Sequence, residues 1–167
     1  IASAAIATIR NYSQQHLANT AWSYAKLERS DAPLLAALSA SAIRRSTEFI
    51  PQGLANFVWS FARLGIVDGT LLDALAAAAI PMISDFVPQN LSNTSWALAG
   101  LQCMDMPLLD AIAAQSIPMI TTFDTQNMAN TAWSYAKLAV EDATLMASIS
   151  SAAIRKITEC QPQEMAN

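Results

Sequence analysis

Nine consecutive residues, Asn19-Thr20-Ala21-Trp22-Ser23-Tyr24-Ala25-Lys26-Leu27, occur again at Asn130 to Leu138, and this recurrence restricts the possible folds more than any other feature. Degraded copies stand between them. Asn falls at 19, 56, 93, 130 and 167 and Trp at 22, 59, 96 and 133, each 37 residues after the last. A fixed period of this length means one supersecondary unit stacked on itself, because a single unit cannot bury its apolar surface without neighbours.

The period predicts units at 14–50, 51–87, 88–124 and 125–161, with partial units at 1–13 and 162–167, so that the array runs past both ends of the chain. A first helix of about four turns begins at Gln14. Its copies open with Pro51-Gln52, Pro88-Gln89 and Pro162-Gln163, and proline is tolerated in a first turn, where its missing N–H has no intrahelical partner. After a short turn, Asp31, Asp68, Asp105 and Asp142 occupy one place in every unit and read as N-caps of a second helix. Carboxylates that recur so regularly are structural and do not read as acid/base groups.

The second helix carries an apolar stripe at helical spacing: Leu34, Leu35, Leu38 and Ile43, then Leu71, Leu72, Leu75, Ile80 and Ile83, then Leu108, Leu109, Ile112, Ile117 and Ile120, then Leu145, Met146, Ile149, Ile154 and Ile157. These are expected in the core. Pro81 and Pro118 stand where other copies have Arg44 and Arg155, which predicts kinks near 77–81 and 114–118. The predicted fold is all-α, a right-handed α-solenoid of antiparallel helix pairs with about four and a half repeats.

Hydrophobic residues make up 53% of the chain and charged ones 13%, which suits helices covered on both flanks. The net charge is −4, and the middle is purely acidic: Asp68, Asp73, Asp85, Asp105, Asp110 and Asp124 lie between Leu64 and Ala136 with no Lys or Arg among them. No continuous positive track is visible. The longest apolar run, Leu75 to Ile83, contains Pro81 and is too short for a bilayer span, and Ile1 opens no signal pattern. Cys103 and Cys160 read as small core residues, His16 has no Cys or second His near it, and no cofactor or metal is expected. With no phosphate loop and no nucleophile beside a base, the chain is predicted not to be an enzyme.

Within the first helix, Leu17, Ala21 and Tyr24 on one stripe and Ala18, Trp22 and Ala25 on the next form a wide apolar surface, with the tryptophans expected as buried packing between units. The remaining stripe is Asn19, Ser23 and Lys26, repeated as Asn56, Ser60 and Arg63, as Asn93, Ala97 and Gly100, and as Asn130, Ser134 and Lys137. First helices are expected on the concave side, which makes Asn19, Ser23, Lys26, Asn56, Ser60, Arg63, Asn93, Asn130, Ser134 and Lys137 the candidate partner-binding residues. The Asn column has two readings. An amide can fix the stacking register by bonding to the neighbouring unit, which is favoured because identical residues cannot discriminate along a ligand, or it can grip an extended ligand.

The composite unit Pro-Gln-x-Leu-Ala-Asn-x-x-Trp-Ser-x-Ala-x-Leu resembles the octotricopeptide repeats of algal and protist organelle proteins over the whole chain. The resemblance implies antiparallel helix pairs, a plastid or mitochondrial location and binding of organellar RNA through polar side chains of the first helix, here the Asn19, Ser23, Lys26 stripe and its copies. Two functions are expected in turn. The first is a non-catalytic scaffold docking on protein partners as a peripheral or assembly subunit of a larger organellar complex. The second is an organellar factor that binds single-stranded RNA in transcript stabilisation, processing or translation.

Overall fold

Asp31, Asp68, Asp105 and Asp142 each accept a hydrogen bond on a carboxylate oxygen from the backbone N–H three residues on, at 2.9 to 3.1 Å. The predicted caps are in place, each satisfying a free donor of a first helical turn and contributing about 1 kcal/mol. The computed structural model describes residues 2–164, with side chains as far as Thr158. Every regular element among the described residues is helical: α1 (Ala2–Thr8), α2 (Gln14–Lys26), α3 (Ala32–Arg44), α4 (Pro51–Arg63), α5 (Gly69–Ala79), α6 (Pro88–Gly100), α7 (Met106–Ser116), α8 (Thr125–Lys137) and α9 (Ala143–Glu164). The molecule is an α-solenoid.

The first helices α2, α4, α6 and α8 each have 13 residues and lie side by side in one layer, α2 on α4, α4 on α6 and α6 on α8. Small buried residues set this closeness. Ala21, Ala25, Ala55, Ala97, Ala99, Ser92 and Ser95 line the seams, and without bulk there the axes can approach to about 8–10 Å. The second helices α3, α5, α7 and α9 meet one another more sparingly, and the inner face of the molecule is the side of the first-helix layer turned away from them. Between the layers runs one continuous core that includes Leu17, Leu54 and Leu91 from the first helices and Leu34, Leu38, Leu71, Leu75, Leu109 and Leu145 from the second.

The turn joining the helices of each unit is left-handed at one residue: Glu28, Gly65, Gln102 and Ala139 have φ of 52°, 67°, 54° and 54°. The next N–H reaches back to the carbonyl five residues earlier, as Arg29 to Tyr24, Ile66 to Phe61, Cys103 to Leu98 and Val140 to Tyr135, at 2.9 to 3.0 Å. This closes the first helix and reverses the chain. Only Gly65 adopts the conformation freely; the other three pay roughly 1 kcal/mol or more in steric strain.

Three expectations are corrected. Pro81 and Pro118 do not kink long helices but end them: α5 and α7 stop at Ala79 and Ser116 after 11 residues, and short 3-10 turns at Ile80–Asp85 and Ile120–Thr122 follow. The missing N–H and the ring's pressure on the preceding turn terminate the helix, whereas α3, with Arg44 at that place, runs for 13 residues. On α9, Leu145 and Ile149 are buried as expected, but Ile154 and Ile157 are exposed, because no described helix covers that flank. The helix also continues to Glu164, past the place where Pro162-Gln163 were expected to open a new first helix. Cys160 and the remainder of the expected partial unit, to Asn167, lie outside the described side chains. Cys103 is half-buried against the core, and burial, with Asp105 and Asp73 adding to it, pushes its thiol up.

Candidate functional site

The inner face of the first-helix layer is built from four places in each helix. In α2 these are Gln15, Asn19, Trp22 and Lys26, spaced i, i+4, i+7 and i+11, which brings them onto one side, and all four are exposed. The rows across the units are Gln15, Gln52, Gln89 and Gln126; Asn19, Asn56, Asn93 and Asn130; Trp22, Trp59, Trp96 and Trp133; and Lys26, Arg63, Gly100 and Lys137. The glutamine row is exposed throughout. It was absent from the candidate residues although its period is as regular as that of the asparagines.

Among the described residues the amide groups of Asn19, Asn56, Asn93 and Asn130 make no hydrogen bond, so the expected register-fixing bond is not formed; Asn19 is exposed and the others are half-buried. What the fold uses is their backbone. Ser23, Ser60 and Ser134 donate their hydroxyls to the carbonyls of Asn19, Asn56 and Asn130 at 2.8, 2.6 and 2.6 Å. Ser60 and Ser134 are fully buried beneath the face, while Ser23 is exposed. The polar contact between first helices is made elsewhere, by Ser92 Oγ on Asn127 Oδ1 at 2.8 Å.

The tryptophans are the main correction. They were expected as buried packing between units; Trp59, Trp96 and Trp133 do pack unit on unit, but Trp22 and Trp133 are 42% and 43% exposed, and Trp59 and Trp96 are half-buried. Trp59, Trp96 and Trp133 form a row with ring centroids 6.3 Å apart at each step and interplanar angles of 32° and 26°. Seams closed by alanine and serine leave no space for an indole, so the rings lie over the seams instead of in them. Lys26 Nζ sits 5.6 Å from the Trp22 ring and Lys137 Nζ 4.8 Å from the Trp133 ring, each one turn along its own helix, in cation–π contact. Arg63 turns away to Glu28 of the preceding unit, 2.5 Å away in an exposed ion pair. Gly100 supplies no cation.

Charge is segregated between the layers. None of the 13 Asp and Glu residues falls within α2, α4, α6 or α8, which carry Lys26, Arg63 and Lys137. The acidic middle seen in the sequence belongs to other surfaces: Asp68 and Asp105 are caps in the turns, Asp73 and Asp110 are exposed on α5 and α7, and Asp85 and Asp124 lie just before the first helices. His16 is engaged at the start of α2, where its Nδ1 meets the backbone N–H of Ser13 at 3.2 Å. Among the described residues no group of His, Cys, Asp and Glu could hold a metal ion, and no helix is long and apolar enough to cross a membrane. The face therefore offers stacking surfaces, amide donors and acceptors, and a few cations.

A comparison with curated proteins finds no match. A family model described as RNA-editing substrate-binding complex 6 protein matches residues 1–161. This differs from the octotricopeptide family that the residues resemble, and the helical-repeat architecture is what the two have in common here. The chain belongs to the RNA-editing substrate-binding complex 6 protein family.

Proposed function

We propose that the chain is a non-catalytic helical-repeat subunit of an RNA-editing substrate-binding assembly, docking on protein neighbours through its edges and turning its first-helix face to the assembly's ligand. The observation that carries this is the segregated inner face, open along four units, free of carboxylates and lined by repeated amides and indoles. The edges suit protein contact: Ile50 and Val87, 54% and 52% exposed, take one place in successive units, and Val67 and Met104, 69% and 58% exposed, take another. Their recurrence at the same two places in successive units makes them the positions we assign to protein contact. The ligand-facing set comprises Asn19, Ser23, Lys26, Asn56, Arg63, Asn93, Asn130 and Lys137, with Ser60 and Ser134 holding the backbone behind them.

The test is affinity purification of the tagged full chain from its own cells, with mass spectrometry of what accompanies it. Other subunits of an RNA-editing assembly are expected with the wild type, and their loss is expected with Val67→Asp/Met104→Asp or Ile50→Asp/Val87→Asp. Recovery of the wild-type chain alone would sink the proposal. An octotricopeptide-type factor acting directly on organellar transcripts is the second reading, favoured by the open tryptophan row. An organellar location goes with either reading, and of the two organelles expected the mitochondrion is the one we propose.

A further inference from the structure

Four indoles kept at the surface of a chain with ample apolar material for its core call for a ligand. We infer that Trp22, Trp59, Trp96 and Trp133 form a stacking track for the bases of single-stranded RNA, laid across the first helices, and that Lys26 and Lys137 leave the ring faces for phosphates when the strand binds. The inference deepens the proposed function and rests on its assignment of the inner face to ligand.

Aromatic pairs stack with centroids about 4.5–7 Å apart, and the 6.3 Å steps of this row are at the wide end of that range. Rings so spaced leave part of each face uncovered, available to a flat partner. Exposure is greatest at the two end units, where Trp22 and Trp133 are 42% and 43% exposed, and the inner Trp59 and Trp96 remain half-buried and reachable from solvent. Every base has a π-face, so a row with one indole per unit accepts any base, which also removes the objection that identical residues cannot discriminate along a ligand. The glutamine and asparagine rows supply both donors and acceptors beside the rings.

The charges favour a nucleic acid over a proline-rich peptide, which would also stack on indoles but has no use for cations. Lys26 and Lys137 sit beside the rings and none of the four helices bears a carboxylate. Cations are few, so counterion release contributes little. A log–log salt slope of about −1.4 to −2.1 follows from two or three phosphate contacts at roughly −0.7 each for single strands. Duplex RNA, whose base faces are covered, should bind poorly.

The full chain is titrated with fluorescein-labelled oligo(U), oligo(A) and a hairpin duplex, following anisotropy and intrinsic tryptophan emission. Expected are quenching of the tryptophans, similar affinity for the two single strands, a duplex at least tenfold weaker, and the shallow salt slope. Trp59→Leu/Trp96→Leu should weaken oligo(U) at least tenfold, at the scale of one stacked base for each indole. Trp59→Phe/Trp96→Phe should recover most of the loss, with helical content and thermal midpoint unchanged in both variants. The inference is overturned if the leucine variant binds like the wild type, if duplex competes equally, or if emission does not change. Crosslinks in the assembly from the Trp96 site to protein and none to RNA would also overturn it. A wild type that joins its assembly but ignores oligo(U) removes the track and leaves the subunit assignment standing; one that binds oligo(U) and joins no assembly does the reverse.

Discussion

Asn19–Leu27 and Asn130–Leu138 are the same nine residues, lead through the same helix and turn, and bury different side chains. In the first copy Ala21 and Ala25 are buried, while Ser23 is exposed and Leu27 is 70% exposed. In the second, Thr131, Ser134, Tyr135 and Leu138 are buried and Ala136 is exposed. The cause is which flank has a neighbour: α2 is covered by α4 on one side, and α8 by α6 on the other. Two positions ignore the difference. The tryptophans keep equal exposure and each carries its own lysine, although the Trp133 ring stacks on Trp96 of the neighbouring α6 at 6.3 Å. Flank burial is thus set by position in the array, while the open face is common to its two end units and narrows in the middle, where Trp59 and Trp96 are half-buried.

The largest test of this contrast is the last leucine of the motif. Leu138→Ala should cost about 2–5 kcal/mol in denaturant unfolding, and Leu27→Ala, at a site already in water, under about 0.5 kcal/mol. Equal costs would break the comparison. Ala25→Leu should follow, forcing bulk into a closed seam for about 1–3 kcal/mol of destabilisation, while Ala136→Leu stays within about 0.5 kcal/mol by the same measurement.

A smaller effect sits on Tyr135, whose hydroxyl donates to the Leu109 carbonyl inside the core. Tyr135→Phe should cost about 1 kcal/mol. Burial first, then Asp142 and Asp110, push this phenol above its ordinary 10.0. The folded protein therefore holds the proton where the unfolded chain releases it, so the associated stability is complete below pH 10.0 and falls as pH rises beyond it. Unfolding midpoints measured upward from neutral pH should decline less steeply in Tyr135→Phe. The smallest expected difference is between Trp22→Phe and Trp133→Phe, with Trp133→Phe costing up to about 1 kcal/mol more in thermal melts because its ring stacks on Trp96. Equal shifts would show that the Trp96–Trp133 stack adds nothing to stability.

Much of the fold was legible because it rests on local chemistry. The period, the four aspartate caps and the second-helix leucines each follow from spacing and from the needs of unpaired N–H groups. The left-handed turn was not legible, because only Gly65 announces it, while Glu28, Gln102 and Ala139 are residues that rarely adopt positive φ. Pro81 and Pro118 signalled a break in the helix but not whether it would bend or stop. At the site, the asparagine and cation rows were recognisable from their i, i+4, i+7 spacing, and the glutamine row extends the same series one turn earlier. The tryptophans misled because an aromatic residue among alanines reads as core by composition. The acidic middle misled because counting charges along a window does not say which layer holds them.

Period, helix boundaries and caps depend on interactions within a few residues, so the amino-acid order was enough to establish that this chain repeats a helical hairpin and presents a surface. Which side chains reach that surface depends on how closely neighbouring helices approach. The order of residues already kept carboxylates out of the first helices, but that these helices form one layer, and that the tryptophans are left on its open side, are consequences of packing between units that lie 37 residues apart.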